Sequence, residues 1–376
     1  MSALDLPFDA EEMLAGLRPW VECESPTWDA AAVGRMMDLA ARDLSAIGAV
    51  VETIPGTGGF GPSIRARFPH PDEGAPGILV SGHMDTVHPL GTLEKLPFRV
   101  QDGLAYGPGI MDMKGGNYVF LEAMRQILRA GMTTPLPVTF LFTPDEEVGT
   151  PATRGLIEDA ARGQRAVLVP EPALPDGGAV TGRYAIARFD LLTEGRPSHA
   201  GWALKDGRSA IAAMARRILQ IEALTTEDRT FSVGIIHAGQ WVNCVPSSCR
   251  AEVLSMAKTQ EDLDRGVAAL MALQGEEGGV AFTVTRGVTR PVWEPQPGTM
   301  QLYELARGLS ARIGFDLSQA SAGGGSDGNF TGAMGVPTLD SIGVRGKGLH
   351  TLDEHIRIDS LAERARLAAG LLTRIS

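Results

Sequence analysis

Five short segments of this 376-residue chain hold residue types that could do hydrolytic chemistry. They are His83-Met84-Asp85, Asp112 within GIMDMKGG, Glu146-Glu147 within PDEEVG, Glu171 within VPEP, and His350 within GLHTLDEH. Four of them follow directly on apolar, β-prone runs or the loop after one. The fifth lies in a glycine-flanked loop near the C-terminus. Acids and imidazoles at strand ends converge in the crevice at the edge of an α/β sheet. Two histidines and three to five carboxylates gathered there would need a cation to be tolerable. The set is therefore a candidate two-metal hydrolytic site.

Each segment brings its own chemistry. His83 and Asp85 stand two apart on an extended run, so their side chains project to one side. The carboxylate can then take one ring N–H and leave the other nitrogen for a metal. Asp112 sits in a glycine-rich turn just before an amphipathic helix. There it could bridge two cations while receiving N–H groups from the helix start, or it could serve as the helix cap. Glu146 and Glu147 end an apolar strand as adjacent carboxylates, which repel unless something positive is near. Adjacent side chains at a strand end diverge, so one could hold a metal while the other faces the reacting water. Glu171 is placed rigidly between Pro170 and Pro172, and His350 lies in a loop short of the final helix. No segment is decisive separately; their order and their strand-end placement carry the reading.

An alternation of strands and helices must position these residues. AVVETI, IRARF, GILVSGHMD, PVTFLFTP and AVLVPEP read as strands, and PVTFLFTP and AVLVPEP are apolar in the way of buried central strands. Helical spacing runs from Val33 to Ile47, over residues 115–130 and over residues 153–162. This pattern predicts an α/β fold with a mostly parallel sheet sandwiched by helices. From residue 179 the order changes to strand, helix, two strands, helix, strand, the split βαβ arrangement. An inserted α+β, ferredoxin-like domain is therefore expected at 179–287, within a discontinuous domain of residues 1–178 and 288–376. The latter closes with a helix at 299–313, the glycine-rich SAGGGSDGNF, a short strand near VPTLDSIGV and a helix from Ser360.

Composition narrows the function classes. The chain is 44% hydrophobic with a formal net charge of −11 and no basic run, which argues against nucleic acid or an anionic membrane as partner. No apolar run approaches the roughly 20 residues that cross a bilayer. The N-terminal MSALDLPFDAEEMLAG lacks the basic and apolar regions of a signal peptide. Cys23, Cys244 and Cys249 are too few and too irregular for a disulfide framework or a structural zinc cluster. A soluble cytoplasmic protein is expected.

From GILVSGHMDTV to GLHTLDEHI the chain resembles the zinc-dependent amidohydrolases and peptidases that include glutamate carboxypeptidase, acetylornithine deacetylase, succinyl-diaminopimelate desuccinylase and aminoacylase. LFTPDEEVGT, EPA, RPSHAG and GGGSDGNF place it nearest the glutamate carboxypeptidase-like members. The resemblance implies a zinc aminopeptidase-like catalytic domain, with the insert serving as a lid and dimerisation domain. It implies two zinc ions per subunit, with cobalt or manganese as substitutes. Asp112 would bridge them, His83 and Glu171 would hold one, and Glu147 and His350 the other. Glu146 would be the general base acting on a metal-bridging water, Asp85 the orienting partner of His83, and His199 in RPSHAG an oxyanion donor reaching across a homodimer.

Substrate recognition follows from the same resemblance. Asn243 and Arg290 match positions that grip a substrate near its carboxylate, and Gly324, Gly325 and Ser326 match a glycine loop lining that pocket. The position where related enzymes carry a second carboxylate-binding arginine falls on Met256. A guanidinium exchanged for a thioether changes the chemistry offered to a substrate. Trp202, Trp241 and Trp293 adjoin these segments; they are expected either to pack core or to enlarge an apolar pocket for a hydrophobic acyl group. The implied activity is cleavage of the amide bond of an N-acyl or peptidyl amino acid. An N-deacylase of the acetylornithine deacetylase or aminoacylase kind is the alternative. A catalytically idle scaffold would be the reading from another class, had any of the site residues been lost.

Overall fold

The apolar runs that precede the site segments form the middle of an eight-stranded sheet. Its order is Val50–Ile54, Ser63–Arg67, Val138–Thr143, Ile78–His83, Ala166–Val169, Thr338–Asp340, Ala179–Arg183 and Gln319–Ala322. The four strands from Val138–Thr143 to Thr338–Asp340 run parallel. Antiparallel partners flank them on both sides. Alternate residues of the central strands feed two separate cores. Val80, Phe140, Phe142 and Leu168 join the larger one, with residues of helices Ala30–Ser45, Gly115–Arg129 and Asp359–Arg374. Leu79, Leu141, Val167 and Val169 join a smaller one with Ile157 and Ala161 of helix Arg154–Ala161. Both faces are covered, which is why these strands read as unbroken apolar runs.

The computed structural model describes residues 2–376, and these divide into two compact units. The first contains the large sheet and comprises the chain up to Gly182, Glu294–Ala322 and Ser326–Ser376. The second is Arg183–Trp293 with Gly323–Gly325. The sequence placed the inserted block at 179–287. The structure puts its start later because Ala179–Arg183 pairs into the large sheet, Val180 lying opposite Asp340. Only Tyr184 separates that strand from Ala185–Glu194, so the sequence shows one continuous β-prone stretch.

Two further features of the first unit went unread in the sequence. Helix Ala10–Glu22 is capped by Asp9, which accepts from the amides of Glu11 and Glu12. It buries Met13, Leu14, Leu17, Trp20 and Val21, while Pro19 interrupts its pattern as a helix breaker would. A four-stranded sheet joins Gly346–Lys347, His355–Arg357, Leu104–Tyr106 and Arg99–Gln101. Strands of two or three residues are too short to show a period of two.

The second unit is a five-stranded antiparallel sheet in the order Arg229–Ala238, Ser248–Ala257, Ala185–Glu194, Val280–Arg290 and Gly275–Glu277. Helices Ala210–Glu222 and Gln260–Met271 complete it. Ala185, Ala187, Phe189 and Leu191 alternate inward and meet Met214, Ile221, Leu263 and Leu270 in a core of its own. Among the described residues no helix is long and apolar enough to cross a membrane.

Candidate metal centre

Three neighbouring parallel strands deliver their ligand candidates from the same end. His83 is the last residue of Ile78–His83 and lies opposite Thr143, the last of Val138–Thr143. The turn Glu146–Val148 follows Val138–Thr143, and Glu171 follows Ala166–Val169 after one proline. Asp112 comes from an irregular segment before helix Gly115–Arg129, where its backbone (φ −115, ψ 98) is extended and its peptide to Met113 is cis. His350 stands in the loop after Gly346–Lys347, in a left-handed conformation with φ 60.

The structure brings His83, Asp112, Glu146, Glu147, Glu171 and His350 together. Asp112 lies between the two imidazoles, with Oδ1 at 3.2 Å from His83 Nε2 and Oδ2 at 3.2 Å from His350 Nε2. Glu147 Oε2 is 3.2 Å from His350 Nε2, and Glu171 Oε1 is 3.7 Å from His83 Nε2. Donor atoms of His83, Asp112 and Glu147 lie within 4.8 Å of one another, as do those of His83, Glu146 and Glu171.

Asp85 is fully buried and does more than the sequence suggested. His83 Nδ1 faces its carbonyl at 2.9 Å and its Oδ1 at 3.3 Å. The two carboxylate oxygens also accept from the amides of Glu146 and Glu147, both at 3.3 Å. One residue thus orients the histidine and fixes the turn that carries both glutamates. Thr27, which the sequence did not single out, donates to Asp85 Oδ2 at 2.7 Å. Asn117 of the helix donates to the His83 carbonyl at 2.8 Å. Asp145 accepts from the amides of Ala152 and Thr153, and burial pushes its carboxyl up to about 6.

The donor chemistry fits a cation. With two acceptors around Nδ1, a neutral His83 ring would carry its proton there and turn its Nε2 lone pair toward carboxylate oxygens. Lone pair against carboxylate is repulsive unless positive charge lies between them. Glu147 Oε1 is buried without a hydrogen-bond partner. In the metal-free protein the cluster is held by protons instead. Hydrogen bonds to Asp112 and Glu147 push His350 up to about 10. Burial and the Asp112 charge push Glu147 up to about 8 and lift Glu171 well above the usual carboxylate range. Burial pulls His83 down, yet Asp112 and Asp85 outweigh it and its pKa ends well above normal. Burial opposes ionisation of Asp112, but His350 and His83 hold it well below the usual range. Imidazole and carboxylate donors in this number suit a divalent metal ion, and Asp112 turns one oxygen toward each imidazole.

The remaining expected residues divide between the units. In the second unit His199 is exposed, and its Nδ1 accepts from the amides of Gly201 at 3.1 Å and Trp202 at 3.2 Å. The neutral ring therefore presents Nε2–H as a donor. Asn243 lies beside it, its carbonyl accepting from the Ala200 amide at 2.9 Å. Arg290 is buried at the end of Val280–Arg290, with Gly325 so close that a Cβ there would lie 2.7 Å from Arg290 Cδ. The Gly324 carbonyl accepts from Arg183 at 2.8 Å. Met256 and Arg290 both pair with Ile186, forming one row across three strands. Ser326, in the first unit, departs from expectation. It is fully buried, its hydroxyl bonds Asp340 and the Gly328 amide, and its own amide bonds Asn329. It holds the start of helix Gly328–Ala333 and offers no open contact. Trp293 is also core, 1% exposed, whereas Trp202 and Trp241 are exposed.

One imidazole and three glutamates at the carboxyl ends of parallel strands, closed by Asp112 and by His350 from a neighbouring loop, make the donor set of a metal-assisted hydrolase. The chain belongs to peptidase family M20/M25/M40, whose model matches residues 79–374. It is 30% identical over 366 residues to carboxypeptidase G2 of Pseudomonas sp. (strain RS-16), covering 95% of this chain and 87% of that protein. It is 26% identical over 329 residues to succinyl-diaminopimelate desuccinylase of Thioalkalivibrio sulfidiphilus (strain HL-EbGR7), covering 80% and 84%. In fold it matches the aminopeptidase PepT of Bacillus cereus with a TM-score of 0.77 and 22% identity, covering 98% of this chain and 99% of that one. The chain is thus a hydrolase of amide bonds from a metal-dependent family, acting on small peptide-like molecules. The α/β fold and the family expected from the sequence are both present.

Proposed function

We propose that the chain is a dinuclear zinc hydrolase that cleaves the amide bond of an N-acyl or peptidyl amino acid, releasing an amino acid with a free α-carboxylate. The observation that carries this reading is Asp112, one oxygen 3.2 Å from each of two imidazoles. His83 and Glu171 would hold one ion and Glu147 and His350 the other, with Asp112 between them. Zinc, when bound, would polarise the scissile carbonyl and acidify the attacking water. Glu146 lies within reach of the His83 and Glu171 donor atoms, with its backbone pinned by Asp85. It would take the water's proton and pass it to the leaving amine.

His199 would donate Nε2–H to the developing oxyanion from a second copy of the chain. A homodimer is supported by strand Arg229–Ala238, which ends the five-stranded sheet with Ile235 and Ile236 exposed. Asn243, Arg290, Gly324 and Gly325 would grip the α-carboxylate. Free thiols at Cys23, Cys244 and Cys249 suit a cytoplasmic setting. The relative named as a carboxypeptidase favours selection at the amino-acid half. The desuccinylase relatives and Met256 beside Ile186 favour a second reading, an N-deacylase that selects at the acyl half.

The test is a panel of N-acyl and peptidyl amino acids in which the two halves vary independently, assayed with and without a zinc chelator. Chelator-sensitive hydrolysis governed by the amino-acid half supports the first reading, and control by the acyl half supports the second. Hydrolysis indifferent to the chelator refutes both.

A further inference from the structure

Glu354 belongs to no proposed ligand set, yet four donors converge on its carboxylate. Oε1 accepts from the amides of Met111 at 2.8 Å and Asp112 at 3.0 Å. Oε2 accepts from the Gly109 amide at 3.0 Å and lies 2.7 Å from His88 Nε2. Its own carbonyl accepts from the Gly107 amide at 3.3 Å. Glu354 is 1% exposed and His88 6%. A buried carboxylate this fully used is costly to place and is not explained by packing.

Glu354 and its partners come from three different ligand-bearing segments. His88 lies five residues beyond His83, on the chain that leaves the strand end. The amides at 109, 111 and 112 belong to the irregular segment that presents Asp112, where residues 112 and 113 are non-helical and Gly109 is left-handed. Such a segment lacks a regular ladder, so its amides need acceptors from elsewhere. Glu354 itself lies four residues after His350 and directly before His355–Arg357, which pairs with Leu104–Tyr106 at the entry to the Asp112 segment. One side chain therefore ties together the segments of His83, Asp112 and His350.

We infer that Glu354, anchored by His88, is a positioning residue that sets the Asp112 carboxylate midway between His83 and His350 and so fixes the spacing of the metal pair. It acts through the backbone of residues 109–112 and touches neither metal nor substrate. The inference rests on Asp112 as a metal ligand. Charge-assisted bonds from three amides hold a loop more firmly than neutral ones. Supports of this kind change metal affinity by about 10–100-fold when removed.

The test is zinc affinity, read by competition with a chromophoric chelator on folded protein. Glu354→Gln keeps the shape but turns one acceptor into a donor facing the Gly109 amide, and zinc should bind about 10–100-fold more weakly. The same substitution in an Asp112→Asn background should weaken zinc far less, because the carboxylate it positions is gone. His88→Phe removes one donor of four, and its smaller loss in the same direction decides the matter if Glu354→Gln does not fold. Unchanged affinity in folded Glu354→Gln, or an equal penalty with and without the Asp112 carboxylate, would overturn the inference. Wild-type protein that binds no zinc would overturn the ligand role of Asp112 and this inference with it. Wild-type binding with an indifferent Glu354→Gln leaves that role standing and removes only this inference.

Discussion

At the scale of the residue, the division of labour between Glu146 and Glu147 is the sharpest consequence of the site. Glu147 lies against His350, while Glu146 reaches the side of His83 and Glu171. Glu146→Gln should lower turnover by about 10²–10⁴-fold with zinc content unchanged, measured by steady-state assay and elemental analysis. A Thr27→Val variant removes a donor from the buried Asp85 carboxylate and should cost about 1–3 kcal/mol in urea unfolding, with Thr27→Ser restoring it. On the proposed reading, protons and zinc would compete for the same donors. His350, at about 10, and Glu147, at about 8, hold protons near neutrality in the metal-free protein. Zinc uptake should therefore release protons and strengthen with rising pH, as isothermal titration in buffers of different ionisation enthalpy would show. The sign for stability follows from Glu147. Its pKa rises from 4.5 to about 8 on folding, so the metal-free protein loses stability as pH climbs through that window, and zinc should offset the loss. The ligand candidates were legible because each follows an apolar run or a glycine turn. Thr27 and Glu354 were not, since they act on partners far along the chain and carry no local signature.

At the scale of the element, close packing of helix Gly115–Arg129 against the ligand loops sets where Glu171 and His83 can lie. A Cβ at Gly116 would sit 1.9 Å from the Pro170 carbonyl oxygen, and one at Gly82 would sit 2.1 Å from Asn117 Oδ1. Gly116→Ala must push the helix from the Glu171 loop. It should cost about 1–3 kcal/mol in thermal unfolding and weaken zinc binding as well; a fully stable variant with wild-type affinity would refute that coupling. The central strands and long helices were readable because each is long enough to show its period. Helix Ala10–Glu22 was hidden by Pro19, and the sheet that includes Leu104–Tyr106 and His355–Arg357 by strands of two and three residues. Those short strands bring the Asp112 and His350 segments side by side, so the most local pattern was also the one the site depends on.

At the scale of the whole molecule, the chain interrupts one unit to build another. The stretch Arg183–Trp293 is continuous and has its own core around Phe189, Leu191, Met214 and Leu263. Expressed alone it should fold cooperatively, with circular dichroism of an α+β protein and dispersed amide resonances; a collapsed fragment without a cooperative transition would show that its core depends on the rest. The central strands and long helices of both units were legible, but the boundary was not, because one residue separates a strand of each. On the proposed reading, amide hydrolysis depends on a pair of metal ions shared through Asp112. That dependence is tested most directly by returning zinc stepwise to chelator-stripped protein while following hydrolysis of an N-acyl amino acid. Activity should be absent at the start and reach its plateau at two zinc ions per chain. Full activity in the stripped protein, or no activity at any zinc level, would contradict it.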